Sequence, residues 1–311
     1  MRPGLLCASA ISSCSALSMS NREMRGALFQ YARGLQAFES GDGPKKLIQL
    51  GGLSDGLLAC EYVPRLANAL EARGWSVVQP VLRSSYMQFG FGSLDNDVED
   101  VVALVAALQA RGAGRVAICG HSTGSQIAAH VVRTAPPGTI DLLSHVIFQA
   151  GVSDRQTDDA AEQFERTTLL AAAAACADPA AFLPRAAHWA PMTAQRYLDL
   201  FAAGGRDDYF SADLVDGALD ANFAQFGPRG VKALVAFSEM DEYMPPSVDA
   251  KVLGQRLAAS LGRCGAPRAL SIVVPGGDHA LSGADAAEAF VRAVSSFLQD
   301  EDDVPGAILA T

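Results

Sequence analysis

"VAICGHSTGSQIAAH", Val116 to His130, decides the fold. The apolar run before Gly120 predicts a strand covered on both faces. Gly120 and Gly124 then bracket Ser122 in Gly-His-Ser-Thr-Gly, and an amphipathic helical pattern follows. In a chain with 29 glycines among 311 residues, a Gly-x-Ser-x-Gly match is weak by itself. Its flanks give it meaning. A parallel strand ends at the carboxyl edge of its sheet, where open α/β sheets place their ligands. The helix after it aims backbone N–H groups and its dipole at the same point. Such a turn exposes the Ser122 hydroxyl where a developing oxyanion is stabilised. Neither G-x-x-x-x-G-K-[ST] nor G-x-G-x-x-G is present here, so the phosphate-binding use of such a turn is not indicated.

Outward from this stretch, short apolar runs alternate with helical patterns. "KKLIQLGG", "SVVQPVL", "RVAICG", "SHVIFQAG", "KALVAFSE" and "ALSIVVPGG" predict strands. "YVPRLANALEARG" and "SLDNDVEDVVALVAALQARG" predict helices between them, the second with Ser93 as N-cap and acids in its first turn. A final helix is expected over roughly Asp285 to Gln299, and "ALFQYARGLQAFES" can add one or two edge strands. This alternation predicts an α/β fold with a doubly wound, mainly parallel sheet. From about Ser153 to Gly227 no strand is evident. That region is expected to be a helical lid over the sheet, with "LLAAAAACADPAAFL" helix-favouring by propensity.

Half of the chain is apolar and its net charge is −10, which argues against a nucleic-acid partner. No run of about 20 apolar residues is present to span a membrane. Six scattered cysteines form no C-x-x-C pair or zinc-spaced cluster, a usage that fits a reducing compartment. Residues 1–22 hold six serines and no acid. Residues 1–24 are therefore expected to be a disordered or targeting segment, ahead of a domain over 25–300 and an acidic tail over 301–311. The expected location is cytoplasmic, or an organelle if residues 1–22 are a transit peptide.

A serine hydroxyl needs a base and an orienting acid. Of the five histidines, only His279, in "VVPGGDHAL", follows the last strand on a loop of small residues. His121 adjoins Ser122 and is expected to point away from it as a packing side chain. "ALVAFSEMDEYMPP" supplies the acid at the preceding strand's end; Asp241 is favoured and Glu242 held in reserve. The order Ser122, Asp241, His279 is the order this kind of elbow uses. The amides of Leu53, in "LIQLGGLSDG", and Thr123 are the expected oxyanion donors, with Gly52 the alternative to Leu53. Ser84, Ser85 and Tyr86 follow a strand and are expected either to line the pocket or to cap their loop. Phe89 and Phe91 are expected to form an apolar wall. Asp207, Asp208 and Tyr209 suit a turn that anchors the lid better than a metal site.

These features resemble the α/β-hydrolase superfamily, and within it the branch that includes the fungal fusarinine C (siderophore) esterases. "GGLSDGLLACEYVPRLANAL", "SSYMQFGFGSLDNDVEDV", "GHSTGSQ", "GGRDDYFSADL" and "SEMDEYMP" carry the resemblance, spread from about residue 47 to 280. It implies an esterase with the triad Ser122, Asp241 and His279, acting on a small-molecule ester without metal or cofactor. A siderophore-type substrate follows less directly, because the lid sets the substrate and the lid matches least. Thioesterase, peptidase and acyltransferase chemistry use the same triad, and a non-catalytic binding protein would keep the same fold.

Overall fold

The computed structural model describes residues 23–185 and 187–299. The targeting expectation for residues 1–22 and the acidic tail over 301–311 fall outside them.

Eight strands form one sheet. β1 (Ala27–Ala32) and β2 (Leu35–Ser40) form a hairpin at one edge of the sheet, from the segment expected to supply edge strands. β2 pairs antiparallel with β4 (Trp75–Pro80). The other strands are parallel: β3 (Lys45–Leu50), β5 (Arg115–His121), β6 (Leu143–Gln149), β7 (Lys232–Ser238) and β8 (Ala269–Val274). Their order across the sheet is β1-β2-β4-β3-β5-β6-β7-β8.

The continuous apolar runs are explained by burial on both faces. Along β6, Val146 and Phe148 point into one core while Ile147 enters the other. The first core is roofed by α2 (Leu94–Ala110), α3 (Thr123–Thr134) and α7 (Ala250–Arg263). The second lies under α1 (Val63–Glu71) and α8 (Ala284–Phe297). Ser93 caps α2 by accepting from the Asn96 amide. No helix among the described residues is long and apolar enough to cross a membrane.

The inserted segment 153–227 divides in two. Its first part holds α4 (Ala160–Ala174) and α5 (Ala194–Phe201), which build a small core of their own around Phe89, Met192, Tyr197 and Leu200. Its second part holds α6 (Asp216–Phe223), whose Leu219 and Phe223 belong to the main core with Phe226. The alanine-rich run does not stay helical to its end. α4 stops at Ala174, because Pro179 lacks an amide and biases Asp178 away from helical backbone. Asp178 instead caps a turn through the Ala180 amide.

The Asp207-Asp208-Tyr209 stretch ties the insertion to the sheet domain. Asp207 accepts from Arg196 Nη1 at 2.8 Å, and Asp208 from Arg155 Nε at 2.7 Å. The Tyr209 hydroxyl lies 2.6 Å from His130 Nδ1 on α3. Both carboxylates are thus engaged by guanidinium groups, as a structural turn requires. Arg196 is 3% exposed and also donates to the Phe89 carbonyl. Removing Asp207 would leave that buried charge without its hydrogen-bonded carboxylate. Asp207→Ala is expected to lower stability by about 3–5 kcal/mol, read as a lower urea midpoint at unchanged slope.

Candidate active site

β5 lies near the middle of the sheet, between β3 and β6, and brings Ser122 to its carboxyl edge. Ser122 has φ 52° and ψ −125°, a conformation that a side chain rarely adopts. Its amide donates to the Gln149 carbonyl at 2.9 Å, and its carbonyl accepts from Ser125 N at 2.7 Å. The flanking glycines are required by space. A Cβ on Gly120 would lie 2.2 Å from the Gly124 carbonyl oxygen, and one on Gly124 would lie 2.5 Å from that of Leu50.

His279 stands on the loop after β8 and is fixed on several sides. Its Nδ1 is 2.9 Å from both carboxylate oxygens of Asp241. Its amide donates to Glu242 Oε2, and its carbonyl accepts from Gln149 Nε2, each at 2.9 Å. The Tyr243 ring packs against the imidazole with centroids 4.6 Å apart. The two adjacent acids therefore have different tasks: Asp241 faces the imidazole, and Glu242 holds the backbone behind it. Two further bonds join their loops, from Gly276 N to Glu239 Oε2 and from Met240 N to the Gly277 carbonyl. His279 and Ser122 line one open cavity of about 1000 Å³.

Asp55 occupies the Gly52 amide through Oδ2 at 2.7 Å. Among the described residues, the amides of Leu53 and Thr123 donate to no protein atom. Thr123 opens α3, so its N–H is one of the orphan donors of a helix start. Leu53 lines the cavity with Ser122.

Several expectations change here. His121 does not point away: it lines the same cavity, and its ring centroid is 5.0 Å from that of His279. Its Nδ1 lies 2.5 Å from Gln149 Oε1. Because the Gln149 amide group donates to the His279 carbonyl, that oxygen accepts and His121 Nδ1 carries the proton. Ser84, Ser85 and Tyr86 do not line the cavity that holds Ser122. Ser84 donates to Asp97 at 2.5 Å, and Ser85 accepts from Leu82 N. Both border a smaller adjoining space of about 30 Å³, which Gly52, Leu53, Asp55 and Thr123 also line. The Tyr86 ring lies over Gly56. Their roles belong to the loop after β4, the other of the two expected for them. Phe89 is buried against Trp189, and the half-exposed Phe91 meets Phe182.

Among the described residues, one set of metal-ligating atoms converges, from Asp55, Cys60 and His121. Their ligand atoms all lie within 4.8 Å of one another, with His121 Nε2 3.9 Å from Asp55 Oδ2. Asp55 is also engaged by the Gly52 amide. Sequence reasoning missed Asp55 and Gln149. Asp55 stands in the same "GGLSDG" as the expected oxyanion donor, whereas Gln149 meets His121 only through the β5–β6 register.

Residues 19–299 match the family described as "Protein of unknown function (DUF1749)". The chain belongs to that family. It is 30% identical to the fusarinine C esterase sidJ of Aspergillus fumigatus, over 85% of this chain and 91% of that protein. Among solved structures it is similar to the siderophore hydrolase EstB from Aspergillus fumigatus. There the TM-score is 0.76 at 29% identity, covering 90% of this chain and 98% of the other. It also matches a structure described as an alpha/beta hydrolase fold protein of unknown function. That match has TM-score 0.63 and 20% identity over 91% of this chain and 98% of the other. The fold is the α/β-hydrolase fold.

The buried His121 has a titration consequence. Burial, and then the neighbouring His279 charge, push its pKa from 6.5 down to about 4. Between these values the unfolded chain binds a proton that the folded chain refuses, so this contribution to stability is lost as pH falls from about 6.5 to about 4. The stability difference between wild type and His121→Gln is expected to shrink across that window, measured by urea unfolding at stepped pH.

Proposed function

We propose that this protein is a serine hydrolase of carboxylic esters, with Ser122 as nucleophile, His279 as base and Asp241 as the orienting acid. The observation that carries this is the Asp241–His279 pair, at 2.9 Å, bordering the cavity into which the strained Ser122 turn projects. Asp241 fixes the proton on Nδ1, which leaves Nε2 to accept one. Ser122 Oγ attacks the ester carbonyl carbon and its proton passes to His279 Nε2. The carbonyl oxygen becomes an oxyanion, and the Leu53 and Thr123 amides donate to it. His279 returns the proton to the departing alcohol oxygen, leaving an acyl ester on Ser122. Water, deprotonated by His279, then releases the acid and restores Ser122. In this reading α4, α5 and the loop through Trp189 form the lid.

The names of the relatives support ester hydrolysis, since one is a fusarinine C esterase and the other a siderophore hydrolase. A siderophore-type ester is the substrate class this favours. The open cavity of about 1000 Å³ suits a bulky ester better than a single narrow acyl chain.

Ser122→Ala is expected to abolish turnover of short acyl esters and labelling by a serine-directed phosphonate. Full activity in that variant, or label found by mass spectrometry on another residue, would refute the assignment. Asp241→Asn is expected to lower kcat by about 10³–10⁴-fold, because the amide stabilises the wrong imidazole tautomer. Glu242→Gln keeps an acceptor for the His279 amide, so its loss should stay within about tenfold. Steady-state kinetics on the same esters separate the two acids.

A further inference from the structure

Asp55, Cys60 and His121 bring a carboxylate oxygen, a thiol sulfur and an imidazole nitrogen together beside the Ser122 turn. The ester chemistry proposed above gives none of the three a step. The Gln149 side chain sets the state of His121. Its nitrogen donates to the His279 carbonyl, so its oxygen accepts from His121 Nδ1. Nε2 is then the bare nitrogen, and it faces Asp55 Oδ2 at 3.9 Å. Neither atom has a proton to offer the other, and a cation between them would turn that repulsion into attraction. Gln49 gives a second sign. Its Nε2 donates to the Tyr62 hydroxyl at 3.0 Å, while its Oε1 is buried with no hydrogen bond to protein. Gln49 is 5% exposed and lines the small space that Asp55 and Cys60 also line. A buried acceptor left unpaired is costly, and water carried on a metal ion is a donor that would pair it.

Each of the three has a partner behind it. Asp55 Oδ2 accepts from the Gly52 amide at 2.7 Å, His121 Nδ1 meets Gln149, and the Tyr62 hydroxyl bonds to the Cys60 sulfur. Such outer partners orient the ligands of metal centres. Cys60 is in no disulfide. Thiolate, imidazole and carboxylate together suit zinc, whereas magnesium and calcium ask for oxygen alone. Zinc bonds of about 2.0–2.3 Å set ligand atoms roughly 3.3–3.8 Å apart. The His121–Asp55 separation of 3.9 Å is near that already, and no pair, all lying within 4.8 Å, has more than about 1.5 Å to close. The open cavity, which His121 and Asp55 line, supplies the way in.

We infer that Asp55 Oδ2, Cys60 Sγ and His121 Nε2 bind a zinc ion that inhibits the hydrolase from beside its nucleophile. The inhibition rests on the ester-hydrolase reading; the binding does not. Cys60 loses its thiol proton to solvent as the Zn–S bond forms, and water completes the shell. The ion stands beside His279, whose ring centroid is 5.0 Å from that of His121. His279 must become positive as Ser122 attacks, and a dipositive neighbour opposes that charge. The ion also draws on Asp55, which fixes the Gly52 amide next to the Leu53 donor.

The full chain, freed of metal by dialysis against EDTA, is titrated with zinc chloride in a calorimeter and with cobalt chloride in a spectrophotometer. Wild type is expected to bind a single zinc ion per chain. Cys60→Ser and Asp55→Asn should each weaken that binding by at least about tenfold. Cobalt in wild type is expected to give thiolate-to-cobalt charge-transfer absorption in the near ultraviolet, which zinc displaces; this readout needs no variant to fold. On 4-nitrophenyl acetate, saturating zinc should lower kcat/KM by at least about tenfold, reversibly with EDTA, and the zinc-free to zinc-bound ratio should fall toward one in Cys60→Ser. Absence of the thiolate absorption overturns the inference. So does zinc affinity unchanged in both variants when their urea midpoints match wild type. Zinc bound at this site with kcat/KM unchanged overturns the inhibition while leaving ester hydrolysis in place. Thiolate absorption in a metal-free protein that cleaves no ester would instead refute the hydrolase reading and keep the zinc site.

Discussion

At Ser122 the backbone passes from strand to helix at φ 52°, a conformation that costs a non-glycine residue roughly 1–3 kcal/mol. The rest of the site is arranged around that turn. It persists because its surroundings over-determine it. The Gly120 and Gly124 backbones meet with no room for a side chain, and the Ser125 hydroxyl donates to the Gly120 carbonyl at 3.0 Å. Gln149 fastens it from the next strand by accepting the Ser122 amide on its carbonyl. Flattening the turn would return the hydroxyl to the sheet edge and break all of these contacts together.

Gln149 links the turn to His279. Its carbonyl holds Ser122, its side-chain oxygen accepts from His121, and its side-chain nitrogen donates to the His279 carbonyl. The neighbours His121 and Ser122 and the distant His279 thus share one buried amide residue at a strand end. Burial holds the His121 pKa down, so its ring places no positive charge beside His279 near neutral pH. The insertion is held with comparable firmness. Arg155 and Arg196 answer Asp208 and Asp207, and Tyr209 reaches His130 on the helix that follows Ser122. The roof of the cavity and the turn beneath it are therefore parts of one bonded framework.

Much of this was legible because it depends on periodicity and punctuation. Strands buried on both faces leave continuous apolar runs, and each run ended where the strand ends. Ser122, Asp241 and His279 stood out because each follows such a run at the edge where ligands bind. Asp241 and Glu242 could not be separated in the same way. Adjacent carboxylates differ only in where the turn aims them, and bonds from the neighbouring loop set that aim. The alanine run was overextended because propensity favours continuation, while Pro179 acts through its missing amide. Ser84 and Ser85 had the right position after a strand, but Asp97 and the Leu82 amide turn them into their own loop.

The sequence by itself determined the order of strands and helices, the two-sided core and the identity of the elbow, since these follow from local pattern and from residues that only fit one backbone. The tertiary structure alone decided that His121 belongs to the cavity and that Gln149 joins two histidines. The reason is physical. A side chain's partners across a parallel sheet come from segments tens of residues away, and register and loop packing, absent from any local pattern, choose which of them meet.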